Sequence, residues 1–276
     1  MRWDMHTSCG LREKNEDSVS MCFLRGREEF KEYICDLKCG DKDWEHGAVA
    51  ILRDNKILSV DGKMEVAHIE NEPDAFHIFA VADGLGGHLR GEVASEWAVR
   101  SIIGWVFYEF ISGSSLRDAF VNSYATADEY IREKAAENAG TTLVMAVIWS
   151  GNLYISNIGD SRGYVFKDRK LIRKTKDHTF VQSLVDAGVI TEEEAREHPK
   201  RNVLLKALGM GKPKPDIYEV GKDWDSFLLC SDGFSNVFSD GEIAQLVTER
   251  KNAKEMVQMA IERGSDDNVS VVVVRR

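Results

Sequence analysis

The sequence predicts an α+β fold built in layers, because its strand-like and helix-like stretches come in blocks and do not alternate strictly. Three observations carry this reading. Short β-prone runs crowd into residues 142–174, two long helical patterns fill 91–138, and single apolar runs of strand length stand at 76–83, 227–230 and 269–274. With 276 residues, 43% of them hydrophobic, the chain can bury a sizeable core, which excludes disorder as a global description. No internal repeat, low-complexity tract or Pro/Gly/Ser-rich linker interrupts it and there are four prolines in all, so one domain over 1–276 is the simplest partition.

Taken in order, residues 76–83 (FHIFAVAD) form an apolar run ending in an acid, as a buried strand would if it delivered a carboxylate to its tip. After glycines 84, 86 and 87, the stretch from Gly91 to Phe110 is long and apolar-rich, and a second helical pattern runs from about Ser115 to Asn138. From Thr141 the texture changes. Thr142 to Trp149, Leu153 to Ile158, Gly163 to Lys167 and Leu171 to Lys174 read as consecutive antiparallel strands separated by Gly, Asn or Asp. Phe180 to Glu197 returns to helical spacing, with Thr191 placed to cap Glu192, Glu193 and Glu194. Phe227 to Cys230 and Val269 to Val274 are buried strands flanking a helical stretch from Asp240 to Arg263.

Composition narrows the function classes. Against 36 Lys+Arg stand 46 Asp+Glu, a formal charge of −10, which argues against nucleic acid or an anionic membrane as partner, since both need clustered cations. Any anionic substrate must be captured by local charge. The best membrane-span candidate, Ala98 to Ile111, is short and carries Arg100 and Glu109, and the first ten residues lack the apolar run of a secretory signal. These features predict a cytoplasmic protein. Five cysteines, an odd number, make no disulfide framework, and reduced thiols fit that compartment.

Acidic residues recur where an apolar run meets a turn: Asn15-Glu16-Asp17, Ala82-Asp83-Gly84, Gly159-Asp160-Ser161-Arg162, Ser231-Asp232-Gly233 and Asp266-Asp267-Asn268. Any one of these is an ordinary turn former. Five at strand ends can converge, and two carboxylates about 4 Å apart repel by roughly 4 kcal/mol at an effective dielectric of 20, so such a cluster calls for cations. Oxygen-only donors suit magnesium or manganese over zinc, and such a centre suits in-line displacement at phosphorus.

The ordered set of motifs resembles the metal-dependent Ser/Thr protein phosphatases of the PPM family, type 2C, in their bacterial form. The resemblance rests on Gly10-Leu11-Arg12, Asn15-Glu16-Asp17, Val81 to His88, Gly91 to Ser95, Gly140-Thr141-Thr142 and Asn157 to Arg162. It continues through Asp177-His178-Thr179, Ala187 to Thr191, His198-Pro199, Leu229 to Gly233 and Asp267 to Ser270. It implies a four-layer α/β/β/α sandwich of two antiparallel sheets flanked by helices, and hydrolysis of phosphoserine and phosphothreonine by a metal-activated water. Two Mn2+ or Mg2+ ions are implied, with a third, weaker one. In that scheme Asp83 bridges two ions, the Gly84 carbonyl binds one, Asp232 and Asp267 complete the first site, Glu16 or Asp17 holds the second, and Asp160 shares the third with Asp232. Arg12 matches the phosphate-gripping arginine, whose planar fork Lys cannot reproduce. The implied partners are a Ser/Thr protein kinase and its substrates, with the phosphatase acting as a monomer. The rival readings are a catalytically silent binding module and a hydrolase for small phosphate esters.

Several positions depart from the family pattern. Leu85 stands where animal members carry a His, which leaves the general acid open, and His88 reads as structural. The segment from about 19 to 74 is an extended insertion, with turns expected at Asp54-Asn55 and at Val60 to Lys63. Cys35, Cys39 and His46 are one ligand short of a zinc site, and Cys230 reads as a buried, inert thiol. Residues 177–210 match the family's flap, whose Lys200, Arg201 and Lys206 could touch an acidic phosphopeptide or form a solvated face.

Overall fold

The computed structural model describes residues 1–27, 30–39, 42–53, 56–60, 76–85, 90–135, 139–211 and 213–276. Side chains are described in 1–22, 76–85, 90–110, 112–135, 139–172, 174–211 and 213–276. From the N-terminus run β1 (Arg2–Ser8), β2 (Asp17–Arg27), β3 (Phe30–Cys39), β4 (Lys42–Arg53), β5 (Lys56–Val60) and β6 (Phe76–Leu85), then α1 (Gly91–Ile111) and α2 (Leu116–Lys134). Next come β7 (Gly140–Thr141), β8 (Leu143–Trp149), β9 (Asn152–Ile158), β10 (Arg162–Lys167), β11 (Lys170–Lys174), α3 (Phe180–Asp186) and α4 (Glu192–Glu197). The chain ends with β12 (Asp216–Gly221), β13 (Ser226–Cys230), α5 (Asp232–Ser235), α6 (Asp240–Thr248), α7 (Ala253–Glu262) and β14 (Val269–Arg275).

Among the described residues the strands form two antiparallel sheets, one of five strands in the order β1-β14-β13-β10-β11, the other of nine with the path β12-β9-β8-β6-β2-β3-β4-β5 and β7 beside β6. The alternation of side chains along each central strand explains why both faces are apolar. In β14, Val269, Val271 and Val273 face α6 and α7, while Val272 and Val274 face the other sheet. In β6, Phe76, Ile78, Ala80 and Ala82 pack under α1 and α2, whereas Phe79 and Val81 point between the sheets, where Phe79 meets Phe227 edge-on at 5.4 Å. Each fully buried Phe or Val contributes about 1.5–3 kcal/mol of transfer free energy. The expected layering, helices on both outer faces of two packed sheets, is what the chain adopts.

Helix ends follow their local chemistry. The Ser115 side chain accepts from the Asp118 N–H at 3.1 Å to start α2, and Thr191 and Glu194 close the capping box expected at α4. Two expected helices are each broken in two. Gly188, with φ +68°, ends α3 before α4 begins, and Arg250, with φ +59°, ends α6 before Asn252 caps α7.

The run of consecutive hairpins expected from 142 to 174 is corrected at its middle. The β8–β9 and β10–β11 pairs form, but β10 leaves its predecessor and pairs with β13 in the other sheet, so Gly159, Asp160 and Ser161 are the crossover between sheets. The 19–74 segment contributes the rest of β2 and a meander of β3, β4 and β5 at the sheet edge. Its expected turn residues 54–55 and 61–63 lie outside the described residues, as do His88 and the side chains of Cys35, Cys39 and His46. Reduced thiols hold at Cys9 and Cys230, and burial pushes the Cys230 thiol up. The expectation fails at Cys22, which is disulfide-bonded and stands opposite Cys35 in the β2–β3 register. No helix of the described residues is long and apolar enough to cross a membrane.

Candidate active site

The strand ends bring five acids to one place. Asp17 at the start of β2 lies opposite Asp83 near the end of β6, and Asp160 arrives on the crossover. Asp232 opens α5 after β13, and Asp267 precedes β14. Burial pushes the Asp83 carboxyl well above the usual carboxylate range, and the neighbouring charges of Asp17, Asp232, Asp160 and Asp267 add to the shift. Burial and the same repulsion raise Asp160 and Asp232, and take Asp17 up to about 7 even though Ser270 and Ser231 hydroxyls work against it.

One oxygen of Asp17 is satisfied and the other is not. Ser231 Oγ and Ser270 Oγ donate to Asp17 Oδ2 at 2.8 and 2.7 Å, while Oδ1 is buried with no hydrogen-bond partner. Asp232 repeats the pattern, since Asn236 Nδ2 donates to Oδ2 at 3.2 Å and Oδ1 is buried and bare. Such orphaned anionic oxygens are costly unless something cationic faces them.

The backbone around Asp83 is clamped from three directions. Asp83 N–H donates to Thr142 Oγ1 at 3.0 Å, Thr142 N–H and Thr141 Oγ1 donate to the Asp83 carbonyl at 2.9 and 2.8 Å, and Gly84 N–H donates to the Glu16 carbonyl at 3.2 Å. Gly84 sits so close to the start of α1 that a Cβ there would lie 2.2 Å from the Gly91 carbonyl oxygen, so only glycine fits. Leu85, in the position of the animal histidine, pairs through its backbone with Gly140.

The crossover is held by a clasp that sequence spacing did not reveal. His178 N–H donates to the Gly159 carbonyl at 2.9 Å, and Gly159 N–H returns a bond to His178 Nδ1 at 3.2 Å. Arg162 forks onto both oxygens of Asp177, the shortest contact 2.6 Å. Burial and Lys206 push the His178 imidazole down, which keeps Nδ1 an acceptor. Asp160 is therefore presented by a turn tied at both ends.

Asn268 performs the same service for the first loop. Its Oδ1 accepts from the Glu16 N–H at 2.7 Å, and its Nδ2 donates to the carbonyls of Lys14 and Cys9 at 2.8 and 3.1 Å. That loop carries Arg12, whose Nε donates to the Asp266 carbonyl at 2.8 Å and whose Nη2 reaches Asp267 Oδ2 at 3.0 Å. Glu16 lies to the side, its carboxyl raised by burial and by Glu92, and it faces Arg12 and Asp267. Among the described residues no three Asp, Glu, His or Cys side chains are arranged to hold an ion as they stand. The hydrogen bonds say why, since Arg12 and the Asn268 N–H occupy the Asp267 oxygens and two serines occupy one oxygen of Asp17.

A cleft of about 610 Å³ opens over this centre. Arg12, Asp160, Asp232 and Asp267 line one side, and residues of α3, α4 and the loop after them line the other, Arg196 and Arg201 among them. Of the three basic residues singled out in sequence, only Arg201 lines the cleft. Lys200 lies 5.2 Å from the Phe180 ring centre, and Lys206 stands 3.6 Å from Asp216. Arg196 escaped notice because it sits within an acidic run.

The chain is similar to known proteins along most of its length. Residues 67–269 match the family model described as protein phosphatase 2C. The serine/threonine phosphatase stp of Listeria welshimeri is 34% identical over 234 residues, spanning 75% of this chain and 86% of that protein. The serine/threonine protein phosphatase PstP of Mycobacterium tuberculosis is 40% identical over 205 residues, 71% of this chain but 40% of that longer one. A crystal structure of the catalytic domain of PstP in complex with 2 manganese ions aligns with a TM-score of 0.63 at 27% identity, covering 99% of this chain and 96% of that one.

Proposed function

The chain belongs to the protein phosphatase 2C family, and from that membership we propose that it hydrolyses phosphoserine and phosphothreonine in proteins at the cleft between the acidic strand ends and the α3–α4 segment. The observation that carries the reading is the gathering of Asp17, Asp83, Asp160, Asp232 and Asp267 from both sheets, three of which, Asp160, Asp232 and Asp267, line the cleft while Asp17 and Asp83 lie buried beside them.

The donor set fits hard divalent ions. It is all oxygen, and Asp17 and Asp232 each keep one buried carboxyl oxygen with no hydrogen-bond partner, while burial and their neighbours raise both carboxyls, an arrangement a divalent ion would relieve. We assign Asp83 and the Gly84 carbonyl, with Asp232 and Asp267, to a first Mn2+ or Mg2+ site. Glu16 or Asp17 is assigned to a second, and Asp160 with Asp232 to a weaker third. When bound, such ions activate water and offset the charge of the phosphate.

Arg12 is the chain's own phosphate ligand in this scheme. Two of its five N–H donors hold Asp266 and Asp267, which aims the guanidinium and leaves its Nη1 side for phosphate oxygens. Its Nη2 also balances the charge of Asp267 at 3.0 Å, the carboxylate that would help hold an ion at the first site. The segment 177–210 acts as a flap, with Arg196 and Arg201 facing the phosphopeptide across the cleft. Substrates are proteins phosphorylated by a Ser/Thr protein kinase, and the same proposal sets the enzyme in the cytoplasm as a monomer.

The test is phosphate release from a phosphothreonine peptide with manganese, with EDTA, and in Asp83→Ala and Asp232→Ala variants. Turnover with manganese alone is the expected result. Equal turnover in all four samples would remove these residues from the chemistry.

A further inference from the structure

The opposite end of the five-stranded sheet holds a second pocket, of about 350 Å³, that the proposed reaction does not use. Its walls come from the β10–β11 turn, the end of α6 and the end of β14, and Arg169, Arg250, Arg275 and Arg276 all line it. In a chain with a formal charge of −10, four guanidiniums around one hollow reverse the charge locally. Asp267 and Arg275 bracket β14, so the two sites lie roughly 25 Å apart at about 3.3 Å per residue.

The acids nearby offset only part of this charge, Asp225 facing Arg276 and Asp4 facing Arg275. Asp225, which lines it, accepts from Lys167 Nζ at 3.2 Å and from the Asp168 N–H at 2.7 Å. Asp4, which faces Arg275, has its Oδ2 on the Ala253 N–H at 2.8 Å. Arg275 Nη2 and Arg276 Nη1 donate to the carbonyls of Lys251 and Lys222 at 2.5 and 2.6 Å, contacts that aim the guanidiniums without cancelling their charge. Arg275 Nε is buried and has no hydrogen-bond partner. Among the described residues, Arg169 and Arg250 form no ion pair.

The backbone points the same way. Arg169 has φ +62° and Arg250 φ +59°, in the left-handed region that glycine enters freely and long side chains rarely do. One is the second residue of a two-residue hairpin turn, the other follows the C-cap of α6, and glycine or asparagine is the usual occupant of both positions. Of the four non-glycine residues with positive φ among those described, two are thus arginines on this pocket.

We propose that this pocket is an oxyanion site that takes a phosphoryl group. Two unpaired guanidiniums match the charge of about −1.5 to −2 that a phosphate monoester carries near neutral pH, whereas a carboxylate brings half of it. Each planar fork can grip two phosphate oxygens side by side. The phosphate is either free in solution or carried on a phosphorylated protein segment, in which case the pocket holds a phosphosite other than the one undergoing hydrolysis.

The experiment uses the full chain, labelled with 15N and stripped of divalent ions by EDTA, at constant ionic strength. Inorganic phosphate and a phosphothreonine peptide are titrated separately while backbone amide resonances are followed. Saturable shifts are expected at Thr248, Arg250 and Arg275 in the unaltered chain and in Arg12→Ala. In the double variant Arg169→Gly, Arg250→Gly the affinity should fall at least tenfold, with no drop in melting temperature because glycine suits both positions. Saturation by phosphate alone assigns the site to a free oxyanion, and saturation by the peptide assigns it to a phosphoprotein segment. Shifts confined to amides around Asp83 and Arg12, unchanged affinity in the double variant, or an equal response to chloride would overturn the site.

Discussion

Asp83 is buried beside four other acids, and that position sets opposing demands on one side chain. Replacing it with asparagine keeps its shape and removes the charge that burial and its neighbours oppose. Asp83→Asn should therefore melt at a higher temperature than the parent chain in EDTA, while phosphatase activity in manganese drops at least about a hundredfold. A calorimetric scan beside a peptide assay checks both halves, and a variant less stable than its parent in EDTA would contradict the electrostatic account. Arg12→Lys keeps the charge and loses the fork, so kcat/KM should fall by about 10- to 100-fold. At this scale the acids were legible because each stands at the junction of an apolar run and a turn. The groups that hold them were not. Ser231, Ser270 and Thr142 act through single hydroxyls brought in from distant strands, and a lone Ser or Thr has no spacing that betrays such a partner.

Turns, more than strands, determine where the acids stand. Gly233 begins the turn of α5 against the segment before β14, and a Cβ there would lie 2.1 Å from the Asn268 carbonyl oxygen. Gly233→Ala should cost about 1–3 kcal/mol, read as a lower urea midpoint with an unchanged m-value. Thr142→Val removes the acceptor for the Asp83 N–H and the 2.6 Å contact to Ser161 across the crossover, and should cost about 1–2 kcal/mol as well as activity. The buried strands were readable because apolar residues on both faces give continuous runs, as in β6 and β14. β1 was missed because it holds only two large apolar residues, Trp3 and Met5, each flanked by charged or titratable neighbours, too weak a pattern to stand out at a half-buried sheet edge. The break between β9 and β10 was invisible for another reason, since pairing of Arg162 with Cys230 is a contact between residues far apart in the chain.

Across the whole molecule the raised carboxyls couple stability to protons and to metal. Asp17 moves from 3.8 to about 7, so between those values the folded chain holds a proton that the unfolded chain has released. The metal-free protein should thus lose stability as pH rises from about 4 to about 7, with Asp83, Asp160 and Asp232 acting in the same direction. Divalent ions replace those protons. With manganese at about 100 times its Kd the protein should gain roughly 2.7 kcal/mol near neutrality. Melting temperatures across that range, with EDTA and with manganese, test the idea, and parallel curves would sink it.

The pairing of β1 with β14 carries a consequence for the chain as it is made. Among the described strands β14 is the one sheet neighbour of β1, so β1 must wait, unpaired, while residues 9–268 between them are made and β14 emerges. Asp267 and Asn268, which precede that strand, arrive just as late. A nascent polypeptide of this kind cannot bring its five acids together before Asp267 has been made, and β1 depends meanwhile on whatever shields exposed strand edges in the cell.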